Sequence, residues 1–251
     1  MDSNHLLTST CLLAGKIMME SGSEVYRVED TMNRIAKSAG REDSVSYVTV
    51  TGIFLSFRQT QHTQIENVGE RSINLEKIVA VNQLSRDFAF HKIDLPQLYA
   101  GIRKIEQEVP AFSKPLQLLS AGVVSCTLMY SFGGTWEDFL ATFLIGIIGY
   151  FLKDFAHDHL KVLFLDCFIA ALGIGIAAVL AVHFGFAHSV DNLIIGSVMP
   201  LVPGVAITTS FRDILAGHLI SGLVRGTEAI IVASAIGVGI ATALILLGGI
   251  L

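Results

Sequence analysis

Cysteine is scarce in this sequence, and positive charge is not in excess. The three cysteines, Cys11, Cys126 and Cys167, are far apart and form no CxxC pair, so we expect neither a disulfide framework nor a zinc site. The 251 residues include 17 Lys and Arg against 22 Asp and Glu, with no basic stripe and no basic patch interleaved with aromatic residues. Nucleic acid is therefore not a predicted partner.

The motifs of common enzyme classes are absent as well. The sequence contains no P-loop, no GxSxG elbow and no HExxH, so we predict no catalytic residue and no ATP hydrolysis. Gly237-Val238-Gly239 lies in an apolar run without a third glycine, and we predict no cofactor. His157-Asp158-His159 has metal-ligand residue types, but alternate positions of a helix face apart and no further ligand cluster accompanies them. No metal site is predicted.

Charge is distributed unequally along the chain, and the change lies near Pro115. The residues up to this point include 13 Lys and Arg and 14 Asp and Glu, whereas the remaining residues include 4 and 8. We therefore predict a soluble α+β domain over residues 1–115 and a transmembrane helical domain over residues 116–251, with a mainly α fold. The start of the chain, with Asp2 and His5, lacks a signal-peptide pattern, so the first domain is expected in the cytoplasm.

The second domain contains five uncharged apolar runs, and a transmembrane helix needs about 20 residues. If all five runs cross, four basic residues fall in loops on one face, which favours a bundle of about five transmembrane helices with the amino-terminal domain inside. The second run is short enough to be a re-entrant segment instead. The runs are 116–134, 139–152, 167–187, 193–211 and 229–251, and the basic residues are Lys153, Lys161, Arg212 and Arg225.

The run 193–211 is interrupted by Met199-Pro200-Leu201-Val202-Pro203-Gly204. Each proline removes a backbone donor and clashes with the preceding turn, so the helix is predicted to break at this Pro-x-x-Pro-Gly motif. Broken helices line substrate and ion sites in secondary transporters, whereas a simple kink would only shape packing. The candidate path residues are Met199, Pro200, Pro203, Gly204, Thr208 and Thr209.

Four charged residues near the apolar runs are further candidates for the path, because charge in a bilayer is costly and usually functional. Asp166 is predicted either to carry a proton or bind a cation, or to lie at the interface beside Lys161. Asp213 is predicted either to pair with Arg212 or Arg225 or to face the path. Arg212 and Arg225 are the available cations.

The first domain is predicted to consist of helices around at least one β-hairpin. Ser21-Gly22-Ser23-Glu24 has the form of a capping box for an amphipathic helix that ends at Gly40. Residues 44–57 and a more polar strand ending near Gly69 form the predicted hairpin. Further helices are expected over 6–20, 74–89 and 95–108, the last with Asp94 as N-cap.

The amphipathic helix that ends at Gly40 carries a cluster of charged residues near its start. Glu24, Arg27, Glu29 and Asp30 are predicted to form a solvated helix face or a docking surface, with a reactive site as the alternative.

Four motifs, taken in order, carry a resemblance to a known family. They are Gly22-Ser23-Glu24-Val25-Tyr26-Arg27-Val28-Glu29, Thr49-Val50-Thr51-Gly52-Ile53, the helix with Arg71, Leu75, Val81-Asn82 and Arg86, and the break motif at 199–204. Together they resemble the amino-terminal half of the threonine/serine exporter family over nearly the whole chain. Long members of that family are similar in having a cytoplasmic domain and about ten spans. With about five, this chain resembles the split form, in which a separate small membrane protein supplies the remaining spans.

The resemblance implies a secondary-active exporter of threonine and serine in a bacterial inner membrane, coupled to the proton motive force and assembled as a hetero- or homo-oligomer. Asp166 and Asp213 are then the candidate proton carriers. Some split pairs are associated with dicarboxylate export, so export of succinate, with Arg212 and Arg225 as exposed cations, is an alternative. A membrane-anchored hydrolase and a non-transporting regulator of the partner subunit are further alternatives.

Overall fold

The computed structural model describes residues 3–108, 112–160, 162 and 164–248. The chain divides into two compact units, one of Met1–Ala111 and Ala206–Gly226 and the other of Phe112–Val205 and Thr227–Leu251. Lys161, one of the four basic residues predicted to lie in loops, and Leu251, the predicted end of the last run, lie outside the described residues. The domain boundary near Pro115 stays a prediction.

The first unit contains helices and a small sheet. Its helices are α1 (Ser3–Glu20), α2 (Val25–Ser38), α3 (Leu75–Ala89) and α4 (Leu95–Glu108), and its strands are β1 (Ser44–Val48), β2 (Gly52–Phe57) and β3 (Thr60–Asn67). Most of α9 (Gly204–Leu215) and the start of α10 (Leu219–Leu247) belong to the same unit. This unit therefore combines the amino-terminal segment with a helical segment that follows the break motif.

The predicted hairpin is a three-stranded antiparallel sheet in the described residues, in the order β1-β2-β3. Residues 44–57 form two strands because the chain turns at Thr49. The Thr49 N–H donates to the Gly52 carbonyl at 2.8 Å, and the Gly52 N–H donates to Thr49 Oγ1 at 3.0 Å. A hydroxyl that bonds to nearby backbone favours a turn over a continuous strand. The prediction of one long strand here is wrong for that reason.

Two of the three helix-end signals predicted for the first unit, those at Gly40 and Asp94, are confirmed. Asn74 caps α3 by accepting from the Lys77 N–H at 3.1 Å, and Asp94 caps α4 by accepting from the Gln97 N–H at 2.8 Å. Gly40, with φ +80°, follows the end of α2 as predicted. The capping box before α2 is wrong, because Glu24 is the N-cap and makes no capping bond with its side chain.

The core of the first unit is apolar and rich in methionine. On α2, the predicted helical periodicity is confirmed, because Val25, Val28, Met32, Ile35 and Ala36 are all fully buried. Helices α1 and α2 approach closely at Gly15, where an added Cβ would lie 2.6 Å from Met32 Sδ. Other fully buried side chains in this core are Met18, Met19, Ile53, Leu55, Leu98 and Ile102.

The second unit is helical and packs through small residues. Its helices are α5 (Lys114–Ser131), α6 (Phe139–Leu160), α7 (Leu165–His183) and α8 (Val190–Val198), together with the rest of α10. An added Cβ at Gly149 would overlap Ile174 Cδ1, and one at Gly239 would lie 2.7 Å from the Phe168 carbonyl oxygen. Such close backbone approach is typical of helices that pack in membranes.

Three helices among the described residues are long and apolar enough to cross a membrane: Trp136–Leu160, Leu165–His183 and Leu219–Leu247. A fourth is available if α8 and α9 count as one broken span. The short run 139–152 lies within the first of these, so its helix does have the length to cross. Helix α5 does not qualify by these criteria, and the count of about five spans stays a prediction.

Candidate functional site

The predicted break in the helix is confirmed. A 3-10 turn, Met199–Leu201, follows α8 directly, and Val202 is extended with φ −63° and ψ 128° before α9 begins at Gly204. Pro200 has no N–H, so the Gly196 carbonyl accepts from the N–H of Met199 instead of from a donor four residues on. The Val202 N–H donates to the Met199 carbonyl at 3.3 Å, and the Gly204 N–H donates to the Val202 carbonyl at 2.8 Å.

The break presents backbone at the surface of the protein. Val202, Gly204 and Val205 are exposed, Met199, Pro200 and Pro203 are half-buried, and Leu201 is buried. The break lies in the second compact unit, whose first segment ends at Val205, directly after the break. Exposed backbone next to prolines can offer carbonyl and N–H groups to a ligand without disturbing a regular helix.

Helix α8, before the break, packs tightly inside the second unit. An added Cβ at Gly196 would lie 2.5 Å from Met129 Cβ, 2.7 Å from Thr142 Cγ2 and 2.8 Å from the Ser125 carbonyl oxygen. The Ser197 hydroxyl donates to the Thr142 carbonyl at 3.4 Å. Helix α8 is therefore held against α5 and α6 by a close contact at Gly196, where only glycine fits.

A buried carboxylate, that of Asp138, holds the loop before α8. Its side chain is fully buried, Oδ1 accepts from the His188 N–H at 2.7 Å, and Oδ2 accepts from Asn192 Nδ2 at 3.5 Å. The start of α6 is thus tied to the α7–α8 loop and to α8 itself. Asp138 was not among the residues predicted from the sequence, although an acidic residue directly before an apolar run is a signal that could have identified it.

After the break, α9 packs on α10 through hydroxyl groups and glycines within the first unit. The buried Ser210 hydroxyl donates to the Gly222 carbonyl at 2.7 Å, and an added Cβ at Gly226 would lie 2.9 Å from Ser210 Oγ. Thr209 is also buried, whereas Thr208 is exposed. Of the two threonines predicted to lie on the path, only Thr208 is therefore on the surface.

Asp213 and Arg225 form a buried pair in the first unit. Arg225 Nε lies 3.4 Å from Asp213 Oδ2, and both side chains are almost completely buried. Arg225 Nη2 donates to the Ser23 carbonyl at 2.7 Å, and Asp213 Oδ1 accepts from the Val25 N–H at 2.9 Å. The pairing alternative for Asp213 is confirmed. The prediction that Arg225 is an exposed cation is wrong, because its bonds to Ser23 and Asp213 bury it.

Asp213 therefore caps the amino-terminal end of α2, which the side chain of the N-cap residue Glu24 does not cap. The Val25 N–H is one of the donors that α2 leaves without an intrahelical partner, and the carboxylate that accepts from it comes from 188 residues away in the sequence. A carboxylate in this position also interacts favourably with the helix dipole.

Glu24 lies beside this pair and is shared between two arginines. Its Oε1 accepts from Arg212 Nη1 at 2.8 Å, and its Oε2 accepts from Arg27 Nη1 at 3.3 Å. Its side chain is 7% exposed, whereas that of Arg212 is 64% exposed. The prediction of a solvated face is therefore wrong for Glu24, because the ion pairs bury its carboxylate, and it holds for Arg27 and Asp30, which are exposed.

These contacts shift the titration of Glu24. Burial on its own raises the pKa of this carboxyl, but the hydrogen bond from its own backbone N–H and the guanidinium groups of Arg212 and Arg27 outweigh it, so the pKa lies below the ordinary 4.5. A lowered carboxyl pKa contributes stability that is fully present above the unfolded-state value and is lost as pH falls through the folded-state value.

We therefore expect Glu24→Gln to make unfolding less dependent on pH. Well above pH 4.5 the variant should melt at a lower temperature than the wild type, and the two melting curves should converge as the pH falls through the lowered folded-state pKa. The measurement is the thermal unfolding midpoint of the purified chain in detergent across this range. Asp30→Asn, on the same helix but exposed, is the control; an equal separation of wild type and Glu24→Gln at every pH would contradict the assignment.

Asp166 lies at the amino-terminal end of helix α7. It is in the first turn of α7, its Oδ1 accepts from the Cys167 N–H at 2.9 Å, and its Oδ2 lies 3.6 Å from His157 Nδ1. A carboxylate in the first turn is favoured by the helix dipole. Asp158, beside His157 in the sequence, pairs with Lys114 at 3.0 Å.

Comparison with known proteins gives matches along the whole chain. A family model described as "Putative threonine/serine exporter" matches residues 9–247. The "Probable succinate transporter subunit YjjP" of Escherichia coli (strain K12) is 23% identical over 98% of this chain and 97% of its own length. The protein of the same name from Klebsiella aerogenes is 20% identical over 96% of this chain and 94% of its own length.

A longer relative matches only in part. The "Probable threonine/serine exporter" of Mycobacterium tuberculosis is 23% identical over 95% of this chain but only 45% of its own length. No solved structure matches the chain. Since the family model covers nearly all of the sequence, the chain belongs to the threonine/serine exporter family.

Proposed function

We propose that this chain is one subunit of a secondary-active exporter of threonine and serine, and that it needs a second small membrane subunit. The observation that carries the proposal is the pattern of lengths. The chain matches two proteins named transporter subunits over 97% and 94% of their lengths, but it matches only 45% of a protein named as an exporter without a subunit designation. A relative named a subunit implies a further polypeptide, and the proposal assigns that role to the second small membrane subunit.

The broken helix is the proposed substrate site. The carboxyl end of α8 presents carbonyl groups, which attract a cation, and the amino end of α9 presents N–H groups, which attract a carboxylate. An amino acid carries both charges, so a broken helix matches a zwitterion better than it matches a solute with one charge. Exposed Gly204 begins α9 and lies in the second unit together with the break.

The proposed orientation places the amino-terminal domain in the cytoplasm of a bacterium and the chain in the inner membrane, with about five spans. The contacts of Arg212 and Arg225 support it, because both side chains bond to residues of the amino-terminal segment within one compact unit. The prediction that these two arginines lie in loops is wrong, because Arg212 lies in α9 and Arg225 in α10. The positive-inside rule also counts basic residues close to the ends of spans. Proton coupling through Asp166 or Asp213 belongs to the same proposal, although Asp213 is already paired with Arg225.

Export of a dicarboxylate such as succinate is the second candidate. The names of the two relatives that match along nearly their whole lengths favour it. A dicarboxylate would need cationic groups at the site, and Arg212, with 64% of its side chain exposed, is the cation on α9 that is accessible.

Reconstituted transport distinguishes these candidates. Proteoliposomes are loaded with labelled threonine, serine or succinate, a proton gradient is imposed, and efflux is compared with this chain alone and with its small membrane partner. We expect efflux of threonine and serine only when both subunits are present. Efflux of succinate alone would replace the first candidate by the second, and no efflux of any solute would contradict both.

Pro203→Ala tests whether the break takes part in transport. Restoring an N–H at this position lets the chain continue as a regular helix, so we expect efflux to fall by about tenfold or more while membrane insertion stays normal. The matched control is Pro96→Ala in the first turn of α4, where the N–H has no helical partner in any case. Wild-type efflux in Pro203→Ala would remove the break from the mechanism.

A further inference from the structure

A second candidate site lies in the first unit, in a cavity of about 270 Å³ between α2 and α3. Arg27, Thr31 and Arg34 line it from α2, and Asn82 and Arg86 line it from α3. The spacing of these residues, four and three on α2 and four on α3, places them on one face of each helix. The volume is near the lower limit for small-molecule sites, which suits a small metabolite.

The floor of this cavity is polar and is held in place. Thr31 is 1% exposed, and its hydroxyl donates to Asn82 Oδ1 at 3.1 Å. Asn82 Nδ2 in turn donates to the Ile78 carbonyl at 2.9 Å. A buried side-chain network of this kind orders the groups around it, so the two helix faces keep a defined separation.

The rim of the cavity carries three guanidinium groups and one carboxylate, that of Asp30. Arg34 pairs with Asp30, Arg27 with Glu24 at 3.3 Å, and Arg86 with Gln83 at 2.9 Å. Each guanidinium has five donors in a planar fork, so a bond to one neighbour leaves further donors for a ligand. Three such forks around one small cavity favour an anion with several acceptor oxygens.

Two of the four sequence motifs meet at this cavity. Arg27 belongs to the motif that begins at Gly22, and Asn82 and Arg86 belong to the helix motif that begins at Arg71. The proposed transport function assigns no role to Arg27, Asn82 or Arg86. Arg27 also bonds to Glu24, and the same carboxylate bonds to Arg212 on α9 at 2.8 Å. The cavity is therefore linked through one carboxylate to the helix that follows the break.

We propose that the cavity between α2 and α3 binds a small metabolite with at least two negative charges, carried by carboxylate or phosphate groups, on Arg27, Arg34 and Arg86. The anion binds above the Thr31–Asn82 floor and competes with Glu24 for Arg27. Binding of the anion then changes the ion pair between Glu24 and Arg212. This cavity is therefore a regulatory site, separate from the substrate site at the break.

The test is calorimetric titration of the full chain in detergent with two probes, succinate and inorganic phosphate. We expect saturable binding of at least one probe at concentrations up to about 10 mM. Binding of succinate alone assigns a carboxylate ligand, and binding of phosphate alone assigns a phosphate-bearing one. If neither probe binds saturably, the proposal is wrong.

Variants locate the binding. Arg34→Gln and Arg86→Gln should each weaken binding by about tenfold, since each removes a charged hydrogen-bond donor. Arg103→Gln, which removes the same charge from an exposed position on α4, and Pro203→Ala, which alters the break, should leave the affinity unchanged. Equal affinities for the wild type and both cavity variants would place the anion elsewhere, at the transport site for instance, and would overturn the proposal.

Discussion

Arg225→Ala is expected to destabilise the first unit by about 3–5 kcal/mol, the range measured when one partner of a buried ion pair is removed. The guanidinium contacts Asp213, the Ser23 carbonyl and Thr209 Oγ1, and it is 6% exposed. Alanine leaves the Asp213 carboxylate buried with the Val25 N–H as its bonded donor and leaves a cavity beside it. The measurement is the unfolding free energy of the purified chain in detergent.

Two further variants separate the loss of the pair from the loss of a surface charge. Arg103→Ala removes an exposed arginine from α4 and should change stability by less than about 0.5 kcal/mol. Asp213→Asn in the Arg225→Ala background should recover part of the loss, because no charge then remains buried at this position. If Arg225→Ala and Arg103→Ala unfold alike, the pair does not hold the unit together.

Gly196→Ala is expected to destabilise the second unit by about 2–3 kcal/mol, the upper part of the range for overpacking. The added Cβ would lie 2.5 Å from Met129 Cβ and 2.8 Å from the Ser125 carbonyl oxygen, distances that require helices α5 and α8 to separate. The gain in helix propensity from glycine to alanine, about 1 kcal/mol, is too small to compensate. Thermal unfolding in detergent measures the difference.

Gly237→Ala is the matched control. Gly237 is also in a helix of the second unit, but an added Cβ there meets no heavy atom within 4 Å. This substitution should therefore be neutral or stabilising by up to about 1 kcal/mol. A Gly196→Ala variant as stable as Gly237→Ala would show that α8 has room to move away from α5 and α6.

Local signals predicted the regular helices of the first unit well. The helical periodicity of burial on α2, the glycine after its end and the cap at Asp94 depend on residues within one or two turns, and the structure has all three. The turn at Thr49 was missed because Val50 and Thr51 have strand propensity, while the bonds that turn the chain depend on the orientation of one hydroxyl.

The sequence predicted the break from the composition of six residues, because proline acts on its own helix whatever surrounds it. It left the pairing of Asp213 open between Arg212 and Arg225, and it placed Glu24 on a solvated face. The structure pairs Asp213 with Arg225 and Arg212 with Glu24, and it buries Glu24. Each of these contacts joins residues on different helices: Asp213 and Arg225 are on α9 and α10, and Glu24 and Arg212 are at the start of α2 and on α9.

The sequence by itself determined the family, the broken helix and the separation of a charged segment from an apolar one, since each depends on residue types and their local order. The tertiary structure decided which charges are buried, that Asp138 holds the α8 end, that Asp213 caps α2 across 188 residues, and that Arg27, Arg34 and Arg86 surround one cavity. The physical reason is that burial and ion pairing depend on distances in space, which the folded backbone sets and the order of residues along the chain does not.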